Sequence, residues 1–232
     1  MLLNDLGTAY DARVRGQVCE WNPLPVQYAD FALWQQEVLG EESDPTSLLS
    51  RQLAYWRDDL QGLAQPLALP TDRPRPRITT SEGGLVQFSL ERELVAGAHR
   101  LAAAHDTTVS MVMQSALATL LRHLGCGDDV PLGAPIVGRS DELLRSLIGF
   151  FANTWVLRVD LSGNPTVGEL LGRVRARALA AYDNQDVPFE RIVEDLNPDR
   201  STSYHPLFQV MLAWQEPLGR WRCPGWRSGP NR

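Results

Sequence analysis

Four histidines, three cysteines and the carboxylate pair of "GCGDDV" are the first candidates in this chain for moving protons, attacking a carbonyl or holding a metal. His99, His105 and His123 fall within or at the ends of predicted helices, and no two histidines have the i, i+4 spacing of a metal pair. Exposed imidazoles so placed are structural. His205 lies beside Pro206 in a loop, with no acid or nucleophile identifiable near it. Cys19, Cys126 and Cys223 are odd in number, far apart and without C-x-x-C spacing. They read as reduced thiols of a cytoplasmic protein. Asp128 and Asp129, in "GCGDDV", read as a turn into a strand, because adjacent carboxylates repel and stay solvated unless a cation holds them. No metal site is predicted. G-x-S-x-G, P-loop and H-E-x-x-H signatures are absent. What remains is a polar pair, Asn153 and Thr154, set in the apolar "IGFFANTWVLR" of residues 148–158. Two readings stand: the pair satisfies local backbone groups, or it faces a site.

The elements that must position this pair follow from periodicity. Helical spacing predicts helices over 2–15 (Leu3, Leu6, Tyr10, Val14), from Pro25 to a stop at Gly40 (Tyr28, Phe31, Gln35 and Val38 on one side) and before Gly62 (Leu49, Leu53, Trp56, Leu60). "LPTDRPRPRITTSEGG" holds three prolines and no helical period, so it reads as an extended connector. Beyond it, "LVQFSL" alternates as a strand. Helices follow at about 91–105 and 108–124. "DVPLGAPIVGR" reads as a strand ending in a Gly-Arg turn, and a brief helix is expected near Asp141–Leu147. "TWVLRVDL" reads as a second strand. A long helix capped by Thr166 comes next, then a short one over "PFERIVEDL" and a last strand over "PLFQVMLAWQ". The arginine-rich face of the long helix reads as solvated. Interleaved helices and strands favour a layered α/β arrangement.

Charge narrows the partners. The chain carries 28 acidic residues against 22 basic ones, all of them arginine, and a net charge of −6. A phosphate-binding surface is normally basic, so nucleic acid is excluded as the expected partner. No apolar run approaches the ~18 residues that would span a bilayer, and the first residues lack a basic n-region, so neither membrane nor signal peptide is expected.

Four stretches are specific in combination: "YADFALW" (28–34), "IGFFANTWVLR" (148–158), "NQDVPFE" (184–190) and "RSTSYHPLFQ" (200–209). In this order they resemble the condensation domains of nonribosomal peptide synthetases. "YWRDDLQG", "LPTDRPRP", the Gly-Arg of "GAPIVGR" and "RIVEDLNPDR" fit the same family. The resemblance implies a chloramphenicol-acetyltransferase-like α/β fold of two lobes in a V, of which this chain would hold mainly the C-terminal lobe. Residues 1–66 would be the helical end of the first lobe and the crossover. Residues 67–84 would be the Pro-rich connector, and 85–232 the C-terminal lobe, with "RWRCPGWRSGPNR" the start of a cut-short continuation.

The resemblance also implies a reaction. Carrier proteins deliver an acyl or peptidyl thioester and an aminoacyl thioester on phosphopantetheine arms, and an amide forms between them. The family's H-H-x-x-x-D-G histidine motif is absent, since no two histidines are adjacent here. No catalytic residue is therefore assigned, no cofactor is expected to bind this chain, and the chain alone is expected to be inactive. Asn153, Thr154 and Arg139 are carried over as substrate-tunnel candidates, Arg139 through a bidentate contact. Tyr28, Asp30, Trp34, Asp186, Pro188 and Phe189 are carried over as structural motif residues. The implied partners are peptidyl carrier proteins, adjacent synthetase domains and a chain supplying the missing lobe. The implied setting is antibiotic or other secondary-metabolite biosynthesis. The competing readings are a non-catalytic remnant or recruitment platform, and an epimerisation or heterocyclisation relative. The intact "NQDVPFE" favours condensation over epimerisation.

Overall fold

Two stretches of apolar alternation meet in a hairpin, the sheet among the described residues. A computed structural model describes residues 2–80, 82–139, 141–198 and 201–215. Strand β1 runs Asp129–Ile136 and β2 runs Asn153–Asp160. They are antiparallel, with Asp129 opposite Asp160 and Ile136 opposite Asn153. Val130, Leu132, Trp155, Leu157 and Val159 are buried, as the alternation requires. Val156 is buried too, so consecutive residues of β2 are covered on both faces.

Helices supply that cover. They are α1 Leu2–Val14, α2 Tyr28–Leu39, α3 Leu48–Asp59, α4 Arg92–Ala104, α5 Val109–His123, α6 Val167–Asp183 and α7 Phe189–Leu196, with a 3-10 helix at Glu142–Ser146. Helix α5 packs on β1, while α6 and α7 pack on β2. Ser47 caps α3 and Thr108 caps α5, each side chain accepting the N–H three residues on. Thr166 caps α6 in a full capping box with Glu169. The core under the hairpin takes Leu53, Trp56 and Leu60 from the α3 stripe and Val174 and Ala178 from α6.

The chain divides into two compact units. The smaller joins the stretch up to Val38 with Val137–Ala152, and the larger joins Leu39–Ile136 with Asn153–Trp214. In the smaller unit, Val26 and Phe31 pack against buried Leu144, Leu147 and Phe151. Helix α1, by contrast, buries only Gly7, and Leu6, Tyr10 and Val14 of its predicted stripe are exposed.

Two expected strands do not form as read. Residues 85–90 take no strand among the described residues, and Leu85, Val86 and Phe88 are more than 80% exposed. Alternation alone does not make a strand, which needs a partner ladder, and none reaches this segment among the described residues. Residues 206–215 reduce to a single parallel bridge, Gly133 with Met211. Gly133 donates to the Val210 carbonyl (2.9 Å) and accepts from Leu212 N–H (2.9 Å). A β-carbon at Gly133 would overlap the Phe208 ring, so only glycine lets this segment lie on β1. The "RWRCPGWRSGPNR" continuation and Cys223 lie outside the described residues.

Among its described residues the connector has no regular element, yet it is tied down. Thr79 N–H donates to Thr202 O (2.8 Å), Thr202 hydroxyl donates to Arg77 O (2.7 Å), and Leu67 N–H donates to Gln209 Oε1 (2.5 Å). Side-chain and turn contacts take over where proline forbids a ladder.

Candidate functional site

The "NQDVPFE" loop, between α6 and α7, has almost no hydrogen bonding of its own, and two side-chain amides supply it. Asn153, the first residue of β2, donates from Nδ2 to Gln185 O (2.9 Å) and Val187 O (2.8 Å). Its Oδ1 accepts from Thr154 N–H (2.9 Å) and Phe189 N–H (3.0 Å). All four positions of that amide are used. Gln52 of α3, 1% exposed, holds the loop from another element. Its Oε1 accepts from Asp186 N–H (3.0 Å) and Val187 N–H (2.8 Å), and its Nε2 donates to Asp186 Oδ2 (2.8 Å) and Asp183 O (3.4 Å). Trp56 Nε1–H donates to Asn184 O (2.8 Å). The Val187 peptide groups are thus shared: N–H to Gln52, C=O to Asn153. The two N–H donors facing each amide oxygen settle which end of each side chain is which.

Arg139 belongs to the smaller unit and performs a parallel task with a charge. Its Nη1 donates to Leu144 O (2.5 Å) and Leu147 O (2.8 Å), and Nη2 to Gly149 O (3.4 Å). Its guanidinium lies 4.1 Å from the centre of the Phe151 ring, in cation–π range. The fork therefore closes the last turn of the 3-10 helix and orders the "IGFFA" segment. Gly138, at φ +64°, permits the turn, since a β-carbon there would overlap the Phe151 carbonyl. Tyr28 braces the same segment: its hydroxyl donates to Phe150 O (2.9 Å) and its ring meets Phe151 edge-on at 5.3 Å. Ile148 and Phe150 remain exposed on this frame.

The other motif residues have local tasks. Asp30 Oδ2 accepts from Gln27 N–H (2.8 Å) at the start of α2. Trp34 is exposed, its ring 6.0 Å from Phe31. Pro188 is the N-cap of α7 and its carbonyl accepts from Arg191 and Ile192. Phe189 is buried, with the His205 ring stacked on it at 5.5 Å and Phe208 at 5.7 Å. His205 Nδ1 donates to Pro206 O (2.7 Å), which assigns the proton to that nitrogen.

The carboxylates and arginines pair among themselves. Asp128 pairs with Arg122 (2.6 Å), and Asp129 takes a bidentate contact from Arg158, which also donates to Asp59 O and Gln61 O. A groove of about 550 Å³ is lined by Tyr55, Asp59, Arg158, Asp160, Arg173 and Arg177. Arg173 meets Asp160 and Arg177 meets Asp59, so the arginine face of α6, read from sequence as solvated, docks in part onto carboxylates. Hydrogen bonds from the Ser162 hydroxyl and N–H hold the Asp160 carboxyl below its ordinary value, and burial pushes the Tyr55 phenol up. Among the described residues no cluster of three His, Cys, Asp or Glu could hold a metal, and no helix is long and apolar enough to cross a membrane.

The structure brings Asn153, Thr154, Asp186, Pro188 and Phe189 together in the larger unit, and Tyr28 and Arg139 together in the smaller. Gln52 and Trp56 were not singled out as site residues from sequence. A signal existed: Gln52 falls on the apolar stripe, three residues after Leu49 and four before Trp56, where a polar side chain must find partners indoors.

The chain is similar to known proteins along most of its length. A family model described as "Condensation domain" matches residues 1–221. A probable non-canonical nonribosomal peptide synthetase, CymA, of Salinispora arenicola is 56% identical over 214 residues, 92% of this chain and 3% of that protein. A dimodular nonribosomal peptide synthase of Bacillus subtilis is 55% identical over 214 residues, covering 92% and 9%. The X-domain from teicoplanin biosynthesis superposes with a TM-score of 0.84 at 37% identity, covering 90% of this chain and 46% of that one. The chain thus spans a small fraction of the synthetases it matches and about half of that solved neighbour.

Proposed function

We propose, from the premise that this chain belongs to the condensation-domain family, that it is part of a condensation domain of a nonribosomal peptide synthetase. That domain joins a carrier-bound acyl or peptidyl thioester to the amine of a carrier-bound aminoacyl thioester. The observation that carries the reading is the order of four motifs within the matched span of residues 1–221. Its partners are peptidyl carrier proteins and neighbouring synthetase domains, in the cytoplasm, and the phosphopantetheine arms belong to those carriers. In this reading Asn153 and Thr154 are tunnel residues of the larger unit, and Arg139 is a tunnel residue of the smaller. With the Asn153 amide fully engaged, Asn153 acts by shape, and the Thr154 hydroxyl is the polar group offered to substrate.

The chain alone forms no amide. It has no adjacent histidine pair, and a general acid–base group contributes roughly 100- to 10,000-fold. The test mixes the purified chain with donor- and acceptor-loaded carrier proteins and looks for dipeptidyl thioester by mass spectrometry. No product above the enzyme-free control is expected. Product from the chain alone would overturn the assigned inactivity. Product on adding a histidine-bearing first lobe would support the condensation reading, and continued absence would sink it.

A second reading, a non-catalytic recruitment platform, is favoured by one observation. A further solved neighbour, at TM-score 0.81 and 39% identity, is described as a complex of the X-domain and OxyB from teicoplanin biosynthesis. Binding of a tailoring enzyme by this chain, without amide synthesis in the reconstituted domain, would select it.

A further inference from the structure

We infer that Gln52 is a positioning residue for Asn153, acting through the backbone of Val187. The two side chains come from α3 and β2 and do not bond each other. Each instead grips the same residue of the loop between α6 and α7: Gln52 takes the Val187 N–H (2.8 Å) and Asn153 the Val187 carbonyl (2.8 Å). The Val187 side chain is 1% exposed, so the loop cannot slide without uncovering it. Gln52 itself is buried and makes four contacts, none of which water replaces unless the helix moves. Around this residue the loop's carbonyls at Asn184 and Gln185 and its N–H groups at Asp186 and Phe189 are also held by side chains. A loop whose backbone is held this way behaves as a strut between the two elements rather than as a free connection.

The strut has a direction of dependence. Asn153 reaches three residues of the loop, Gln185, Val187 and Phe189, and these keep their spacing while Asp186 and Val187 are pinned by Gln52. Releasing Gln52 therefore loosens the Asn153 amide although no atom of Asn153 has been changed. The inference uses the condensation reading only to give Asn153 and Thr154 a place beside substrate. The coupling itself is a property of the fold.

Hydrogen exchange by NMR on the full chain tests it without carrier proteins, so its failure is distinct from failure of the condensation reading. In Q52L, the Phe189 N–H, which bonds Asn153 and not Gln52, should exchange about tenfold faster. The Asn153 side-chain N–H signals should shift with it, and the Ala118 N–H inside α5 should be unchanged. A merely local role would speed Asp186 and Val187 alone, and that result, or equal acceleration at Ala118, overturns the inference. If Q52L does not fold, the paired variant Q52E/D186N decides. It exchanges donor and acceptor across the 2.8 Å contact, and should restore the Asn153 signals lost in Q52E alone. Failure to restore them in a folded protein overturns the inference equally.

Discussion

The loop held by Asn153 and the segment held by Arg139 solve the same problem with opposite chemistry. Both lie where the chain leaves regular structure and needs its backbone groups satisfied from outside. Around Asn153 the holders are neutral amides, each serving donors and acceptors at once, and the clamp has a buried second half in Gln52. Around Arg139 the holder is a cation that can only donate. It collects three carbonyls and an aromatic face and accepts from no N–H. An amide clamp suits a loop of mixed polarity such as "NQDVPFE". A guanidinium suits a 3-10 end, where carbonyls accumulate.

The comparison breaks most readily at Asn153. N153A orphans the Phe189 N–H and the carbonyls of Gln185 and Val187 together, and should cost about 2–3 kcal/mol in denaturant unfolding. A loss below about 0.5 kcal/mol would mean that water replaces the amide and that the clamp is not structural.

Arg139 should matter less. R139K keeps the charge but loses the fork that spans three carbonyls, and should cost about 1 kcal/mol. Near-ultraviolet circular dichroism should register the loss of the planar guanidinium from the Phe151 face. If R139K proves as costly as N153A, the contrast between neutral and charged holders fails.

The smallest effect separates charge from neutrality by pH. Hydrogen bonds from the Thr166 N–H and hydroxyl hold the Glu169 carboxyl below its ordinary value. A carboxyl so lowered stabilises the fold above the ordinary glutamate value of about 4.3 and loses that contribution as pH falls through the folded value. Wild type should thus exceed E169Q in stability at neutral pH and approach it below pH 4. The difference between wild type and N153A should include no such step from the amide itself, because an amide does not titrate in this range.

How much of this could be read from sequence depended on range. The helices, the separate strands β1 and β2 and the Thr166 cap follow from neighbours within four residues, where spacing and cap chemistry act, whereas the pairing of β1 with β2 joins residues 17 to 31 apart. Asn153 was conspicuous by its polarity, but its loop partners lie 32 to 36 residues away along the chain. Nothing local distinguishes a fully bonded amide from one facing substrate. Gln52 meets its loop partners from 131 residues away or more, and only its place on the apolar stripe hinted at them. Residues 85–90 show the converse error, since their alternation is a strand's and the partner that would make it one is not among the described residues.

Gly133 and Phe208 amount to one decision written at two places in the chain. The ring occupies the volume that any side chain at 133 would claim. A mutagenesis library that enlarges position 133 while holding 208 constant would sample little but misfolded clones. Diversity at either site becomes accessible only when the two codons are varied together, one growing as the other shrinks.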